Sequence, residues 1–185
     1  MIFYGLEDKL IQKAKQIKLL ILDVDGILTD GQIILSDSGD EIKHFNVRDG
    51  HGIKMIMRYG IEVAFLTGRA SRVVNHRAKE LGVLEVYQGI FDKVKVCAEI
   101  IKKKSLQFNE IAYMGDDVVD VPLLRRAGFS ATVHGASEYV KNFVDYITTK
   151  GGGKGAVREV CEIILQVQGH WEELAKKYEM DDTPV

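Results

Sequence analysis

Short apolar runs alternate with helix-period stretches along most of this chain, and that alternation restricts the fold more than any other feature. The runs lie at residues 19–23, 62–67, 84–87, 111–114 and 130–133, with a weaker sixth at 146–148. They are nearly continuous in apolar side chains, as strands buried on both faces are. Helical patterns fill the gaps at about 50–59, 71–81, 93–103, 118–127, 138–143 and 156–167. Gly60, Gly82 and Gly128 closely follow such patterns, as C-terminal caps do. The alternation predicts an α/β fold with a doubly wound, Rossmann-like parallel sheet.

One stretch departs from it. In "GQIILSDSGDEIKHFNV" two β-rich arms flank Asp37-Ser38-Gly39-Asp40, which reads as a β-hairpin flap at about residues 31–47. No other insertion is long enough for a separate cap domain. The 185 residues, 46% of them hydrophobic, suit one core and hence a single domain over 1–185. The tail at about 169–185 is polar apart from Trp171 and is expected to be partly mobile. A net charge of -2 gives no sign of a nucleic-acid or membrane surface. Cys97 and Cys161 show no metal or redox spacing, no stretch has signal-peptide or membrane-span character, and a cytoplasmic setting is expected.

The first run ends in "LLILDVDGILTDG". Strands of an open parallel sheet aim their C-terminal ends at the ligand crevice. Asp23 and Asp25, two residues apart on extended chain, share one face and repel unless a cation lies between them. The second run ends in Thr67-Gly68-Arg69, where a hydroxyl and backbone N–H groups can hold a phosphate oxygen. Lys93 opens a helix after the third. "YMGDDVVD" sets Asp116, Asp117 and Asp120 after the fourth, and N-capping accounts for only one of these acids. Taken singly, each piece also fits an Asx turn, a strand–helix turn, a solvated lysine or a cap.

Their order, DxDGxxTD, Thr-Gly-Arg, Lys and GDDxxD, each after a strand, resembles the haloacid dehalogenase-like superfamily of phosphohydrolases. Together with the hairpin, "FNVRDGHGI" and "GGGKGAVRE", the spacing over about 17–169 is similar to a narrower family. These are the 3-deoxy-D-manno-octulosonate 8-phosphate phosphatases of lipopolysaccharide precursor synthesis. The resemblance implies that Asp23 is the nucleophile and forms an aspartyl-phosphate. It implies that Asp25 protonates the leaving oxygen and then activates water. Thr67 would donate to phosphoryl oxygens and Lys93 would neutralise them. Mg²⁺ would be held by Asp23, the backbone carbonyl of Asp25 and Asp116. Asp120 would orient Lys93 or a metal-bound water, Asp117 would support the ligands from behind, and Asp30 would fix the loop.

Physical chemistry agrees with that assignment. A carboxylate approaching a phosphate monoester meets a dianion, and unit charges about 4 Å apart repel by about 4 kcal/mol at an effective dielectric of about 20. A divalent cation and a lysine offset this. An all-oxygen ligand set suits Mg²⁺, and the five histidines show no zinc-type spacing. For a sugar-acid carboxylate, bidentate arginine is apt. Arg48 and Arg69, with Gly68, are candidates, although Arg48 equally fits an ion pair with Asp49. His76 and Arg77 read as a solvated helix face. The "GGGKG" segment is no P-loop, because Gly155 follows Lys154 where Ser or Thr is required. It reads as a flexible basic loop carrying Lys154 and Arg158, or as a plain linker, and the resemblance implies a place near the site's entrance.

Rival readings keep parts of this picture. A nine-carbon, sialic-acid-type 9-phosphate would use the same chemistry. A degenerate domain that only binds partners typically lacks the nucleophile or a metal acid, and both are present here. A receiver domain would place its acidic pair on the first strand and phosphorylate the third. The apolar hairpin arms and the missing cap together predict a homo-oligomer, most simply a tetramer in which four hairpins pack together, and the resemblance implies that each site is roofed by a neighbouring subunit.

Overall fold

The structure is a computed structural model and describes residues 6–180. Its main sheet has six strands: β1 (Leu19–Leu22), β4 (Glu62–Leu66), β5 (Glu85–Tyr87), β6 (Ile111–Met114), β7 (Phe129–Thr132) and β8 (Tyr146–Ile147). The order is β5-β4-β1-β6-β7-β8, and every pairing is parallel. The chain leaves β1 to build one side of the sheet and later crosses to build the other. The C-terminal ends of β1, β4 and β6 therefore border the point where the winding reverses, the place such sheets use for ligands.

Side chains of β1 alternate between two cores. Leu20 and Leu22 face one cluster, with α2 (Val47–Arg58) and α7 (Ala156–Val167); Leu19 and Ile21 face the other, with α4 (Lys93–Lys104) and α5 (Val121–Leu124). The stretch at 118–127 splits into a 3₁₀ turn, Val118–Asp120, and the short α5, with Pro122 in its first turn. The remaining helices are α3 (Arg72–Leu81) and α6 (Glu138–Lys141), together with two outside the alternation, α1 (Asp8–Lys15) and α8 (Trp171–Lys177).

Within the tail at about 169–185, α8 forms an ordered helix that the alternation does not predict. Leu174 and Ala175 are buried and Trp171 packs on the core, a spacing of three and four residues that makes one apolar helix face. Arg58 donates to the Tyr178 hydroxyl at 3.0 Å, which ties this end to α2. Residues 181–185 lie outside the described residues. The inserted segment forms a two-stranded antiparallel ribbon, β2 (Ile34–Leu35) and β3 (Glu41–Ile42), as expected.

The "FNVRDGHGI" and "GGGKGAVRE" segments interlock. Asp49 is buried and accepts from the backbone N–H of Gly155 at 3.2 Å and of Arg158 at 2.9 Å, so it is committed to the start of α7 and not to Arg48. A Cβ at Gly52 would lie 3.0 Å from the Arg158 Cα, so α2 and α7 touch backbone to backbone. Asn46 donates to the Gly153 carbonyl at 3.1 Å, and Gly153 N–H donates to the Ile27 carbonyl at 3.0 Å. The glycine loop is thereby pressed on the aspartate loop, where a Cβ at Gly152 would meet the Gly26 carbonyl oxygen at 1.8 Å. Gly152→Ala is expected to cost about 1–3 kcal/mol, as overpacking does, measured by denaturant unfolding. An unchanged midpoint would show that the two loops are not in contact.

Candidate active site

β1 delivers Asp23 at its C-terminal end, with the Asp23 N–H held by the Met114 carbonyl of β6 at 3.0 Å. The next residues turn sharply. Val24 N–H donates to Asp23 Oδ1 at 2.8 Å, and the buried Thr29 hydroxyl accepts from Gly31 N–H at 3.2 Å. Gly26 has φ +88°, and a Cβ there would lie 2.1 Å from Asp116 Oδ2. Only glycine allows the Asp116 carboxylate, carried by the loop after β6, to lie directly on this turn. Thr67 is buried at the end of β4, its N–H bound to the Tyr87 carbonyl at 2.9 Å. Lys93, the first residue of α4, is also buried.

Asp23, Asp25, Thr67, Lys93 and Asp116 line one cavity of about 460 Å³, with Gly68, Arg69 and Asp117 at its wall. Lys93 Nζ lies 3.1 Å from Asp23 Oδ2 and 2.6 Å from Asp120 Oδ1. Asp120 is fully buried and saturated. Its Oδ1 also accepts from the Tyr113 hydroxyl at 2.5 Å, and its Oδ2 accepts from the N–H groups of Asp116 at 3.0 Å and Asp117 at 3.1 Å. It thus shapes the Asp116 loop and aims Lys93. Asp117 is exposed and caps the following turn through Val118 N–H at 2.7 Å. Asp30 is exposed and holds its own turn by accepting from Gln32 N–H at 3.2 Å.

Carboxylate oxygens of Asp23, Asp116 and Asp120 converge to within 4.8 Å of one another. With Asp120 already fully bonded, Asp23 and Asp116 carry the open oxygen positions. Burial raises Asp23 to about 6 despite the Lys93 ammonium beside it. Burial, then the charges of Asp23 and Asp120, raise Asp116 to about 7. Burial works against the charged Lys93, but Asp23 and Asp120 outweigh it and its pKa is raised. A fold that crowds ionisable carboxyls in this way is suited to a hard cation. Without metal, folded Asp23 and Asp116 bind protons more tightly than unfolded ones, so stability falls as pH rises from about 4 through about 7. Melting in chelator is therefore expected to be several degrees lower at pH 8 than at pH 5, at about 2–4 °C per kcal/mol. A higher melting temperature at pH 8 than at pH 5 would contradict the crowding.

A family profile for haloacid dehalogenase-like hydrolases matches residues 78–159. The 3-deoxy-D-manno-octulosonate 8-phosphate phosphatase of Escherichia coli K12 is 43% identical over 163 residues, 88% of this chain and 87% of that protein. The crystal structure of the Moraxella catarrhalis phosphatase of that name, in complex with magnesium ion, phosphate ion and KDO, superposes with a TM-score of 0.91. It is 45% identical and covers 92% of this chain and 98% of its own. The cobalt-bound Haemophilus influenzae phosphatase gives a TM-score of 0.83 at 45% identity, over 85% and 92% of the two chains.

The chain belongs to the 3-deoxy-D-manno-octulosonate 8-phosphate phosphatase family.

In this member of the 3-deoxy-D-manno-octulosonate 8-phosphate phosphatase family, Gly68 and Arg69 line the aspartate cavity, whereas Arg48, Lys154 and Arg158 do not. Those three line a second cavity of about 390 Å³ with Lys150. Arg158 is paired with Glu162 at 2.5 Å. Arg77, read as a solvated helix residue, instead donates to the Asn46 carbonyl at 3.2 Å and stacks over Phe45 at 5.7 Å. It pins the return of the hairpin. Two side chains that the sequence reading passed over reach the centre. Tyr113 binds Asp120 and accepts from Lys93 at 3.2 Å. Lys43 of the hairpin forms an ion pair with Asp25. The two-residue period of a strand offered a signal for both, since Glu41 and Lys43 share one face of the ribbon and Tyr113 shares its face with Ile111.

Proposed function

We propose that this enzyme is a Mg²⁺-dependent phosphatase that releases phosphate and the free sugar acid from 3-deoxy-D-manno-octulosonate 8-phosphate, in lipopolysaccharide precursor synthesis. The observation that carries the reading is Asp23 at the end of the central strand, paired with Lys93 and facing Asp116, in a chain 43% identical to a phosphatase of that name. Asp23 attacks phosphorus, and the P–O bond to the sugar breaks as the bond to the Asp23 carboxylate forms. Asp25 gives its proton to the departing oxygen and then takes one from the water that hydrolyses the aspartyl-phosphate. The Lys93 ammonium and the Thr67 hydroxyl hold the phosphoryl oxygens. Asp116 and Asp23, with the backbone beside Gly26, would hold Mg²⁺, which supplies positive charge to offset the anionic reactants. Arg69, beside Asp25, is in reach of the sugar end, and Gly68 leaves room for it.

No helix among the described residues is long and apolar enough to cross a membrane. The proposed location is the cytoplasm, which the two buried cysteines, not joined by a disulfide, suit. A homotetramer is the assembly this reading favours. Ile33, Leu35, Ile42 and Val47 along the hairpin are 57%, 61%, 48% and 81% exposed, and Phe91 at the cavity rim is 95% exposed. Leu35 pairs opposite Glu41 and Ile34 opposite Ile42, so Ile33 and Leu35 expose apolar side chains on one face of the ribbon and Ile42 on the other, as a ribbon packed between copies would. In a ring of copies the hairpins pack together and a neighbour's Arg48, Lys154 and Arg158 are available to a site that its own chain leaves open.

Phosphate release from a panel of sugar phosphates tests the reading. The eight-carbon acid 8-phosphate is expected to give the highest kcat/KM, chelator is expected to remove activity, and Mg²⁺ to restore it. Preference for the nine-carbon 9-phosphate, or full turnover in chelator, would overturn it.

A further inference from the structure

We propose that Lys43 is a positioning residue for Asp25, so that the hairpin insertion sets the geometry of leaving-group protonation. This rests on the reading of Asp25 as general acid. The Lys43 side chain is 1% exposed, although it sits on an otherwise solvated ribbon. A buried ammonium must be paired, and Lys43 has two carboxylates, Asp25 Oδ1 and, at 3.2 Å, Glu41 Oε1. Arg69 closes the circuit. Its Nη2 lies 2.8 Å from Glu41 Oε1 and its Nε 3.6 Å from Asp25 Oδ2. Charges thus alternate around a ring, Asp25, Lys43, Glu41 and Arg69, drawn from the aspartate loop, the hairpin and the loop after β4.

The ring gives the two oxygens of Asp25 different surroundings. Oδ1 is tied to Lys43. Oδ2 has Arg69 beyond hydrogen-bond distance and is the oxygen without a close partner on a residue that lines the cavity. Phosphoryl transfer forms the Asp23–phosphorus bond, breaks the bond to the leaving oxygen and moves one proton from Asp25 to that oxygen. The transfer needs the carboxyl held within hydrogen-bond reach and in one rotamer. Glu41, itself paired with Arg69, holds Lys43 in turn, so a hairpin displaced from the cavity would release Asp25 as well.

The test uses the dependence on leaving group. An alkoxide needs the proton; a nitrophenolate leaves without it. kcat/KM would be measured on full-length protein for 3-deoxy-D-manno-octulosonate 8-phosphate and for p-nitrophenyl phosphate, because it reports the steps up to transfer to Asp23. Asp25→Asn is expected to lower the sugar ester at least about tenfold more than the aryl ester, general acids contributing about 10²–10⁴-fold. Lys43→Met is expected to show the same selective loss, Lys43→Arg to recover part of it, and the Lys43→Met, Asp25→Asn double variant to lose no more than Asp25→Asn alone. Equal losses on both esters in Lys43→Met would overturn the inference and leave Lys43 only docking the hairpin. A nonselective loss in Asp25→Asn would instead overturn the role of Asp25, and the inference with it.

Discussion

Asp23→Asn is expected to lower phosphate release by at least about 10⁴-fold, because the path through a covalent aspartyl-phosphate is lost with the carboxylate. An amide oxygen carries no full charge and cannot form the acyl-phosphate. The same change is expected to make the metal-free protein more stable near neutral pH. Ionised Asp23 is disfavoured there, its carboxyl being raised to about 6 by burial. The amide removes that cost, and Lys93 keeps its partner Asp120 at 2.6 Å. Turnover and melting temperature should therefore move in opposite directions, as they do where a site is arranged for chemistry at the expense of the fold. Release assays, with melting in chelator, check both. Near-wild-type release would refute the covalent route.

If the proposed tetramer forms through the hairpins, placing aspartates there, Ile33→Asp with Leu35→Asp, is expected to reduce the mass in light scattering to that of a monomer and turnover by about a hundredfold, the scale of loss that misplaced binding groups cause. Both side chains are mostly exposed within one chain, so the change leaves the core of the subunit intact. Phe45 is unsuitable for this test despite its place on the same arm. It packs against the core beneath Arg77, and a charge there would damage the subunit itself. A wild-type monomer with full turnover at micromolar concentration would end the shared-roof reading.

Most of the sheet is legible in the sequence because its strands are buried on both faces, and their apolar runs stand out from amphipathic helices. β6 and α7 have the bounds that the pattern predicts. α1 and α8 escape because each is short and mostly polar, and is helical by virtue of a few side chains docked on the core. The acids of the site are legible for a related reason. Each follows a strand end, so its position along the chain already states its position at the crevice.

The parallel α/β alternation and the set Asp23, Asp25, Asp116 and Asp120 with Thr67 and Lys93 were legible in the sequence, the first from local periodicity and the second from motifs that each follow a strand in a family-like order. The strand order β5-β4-β1-β6-β7-β8 came only with the structure. Tertiary structure decided what each of them touches. It saturates Asp120 with Lys93, Tyr113 and two backbone N–H groups. It turns the Asp25 carboxylate towards Lys43 and commits Asp49 to α7. It separates Arg48, Lys154 and Arg158 from the aspartate cavity of their own chain. The reason is physical. A charged side chain reaches several ångströms from its backbone, and its partner is chosen by burial and competition among groups distant in sequence, which no local pattern records.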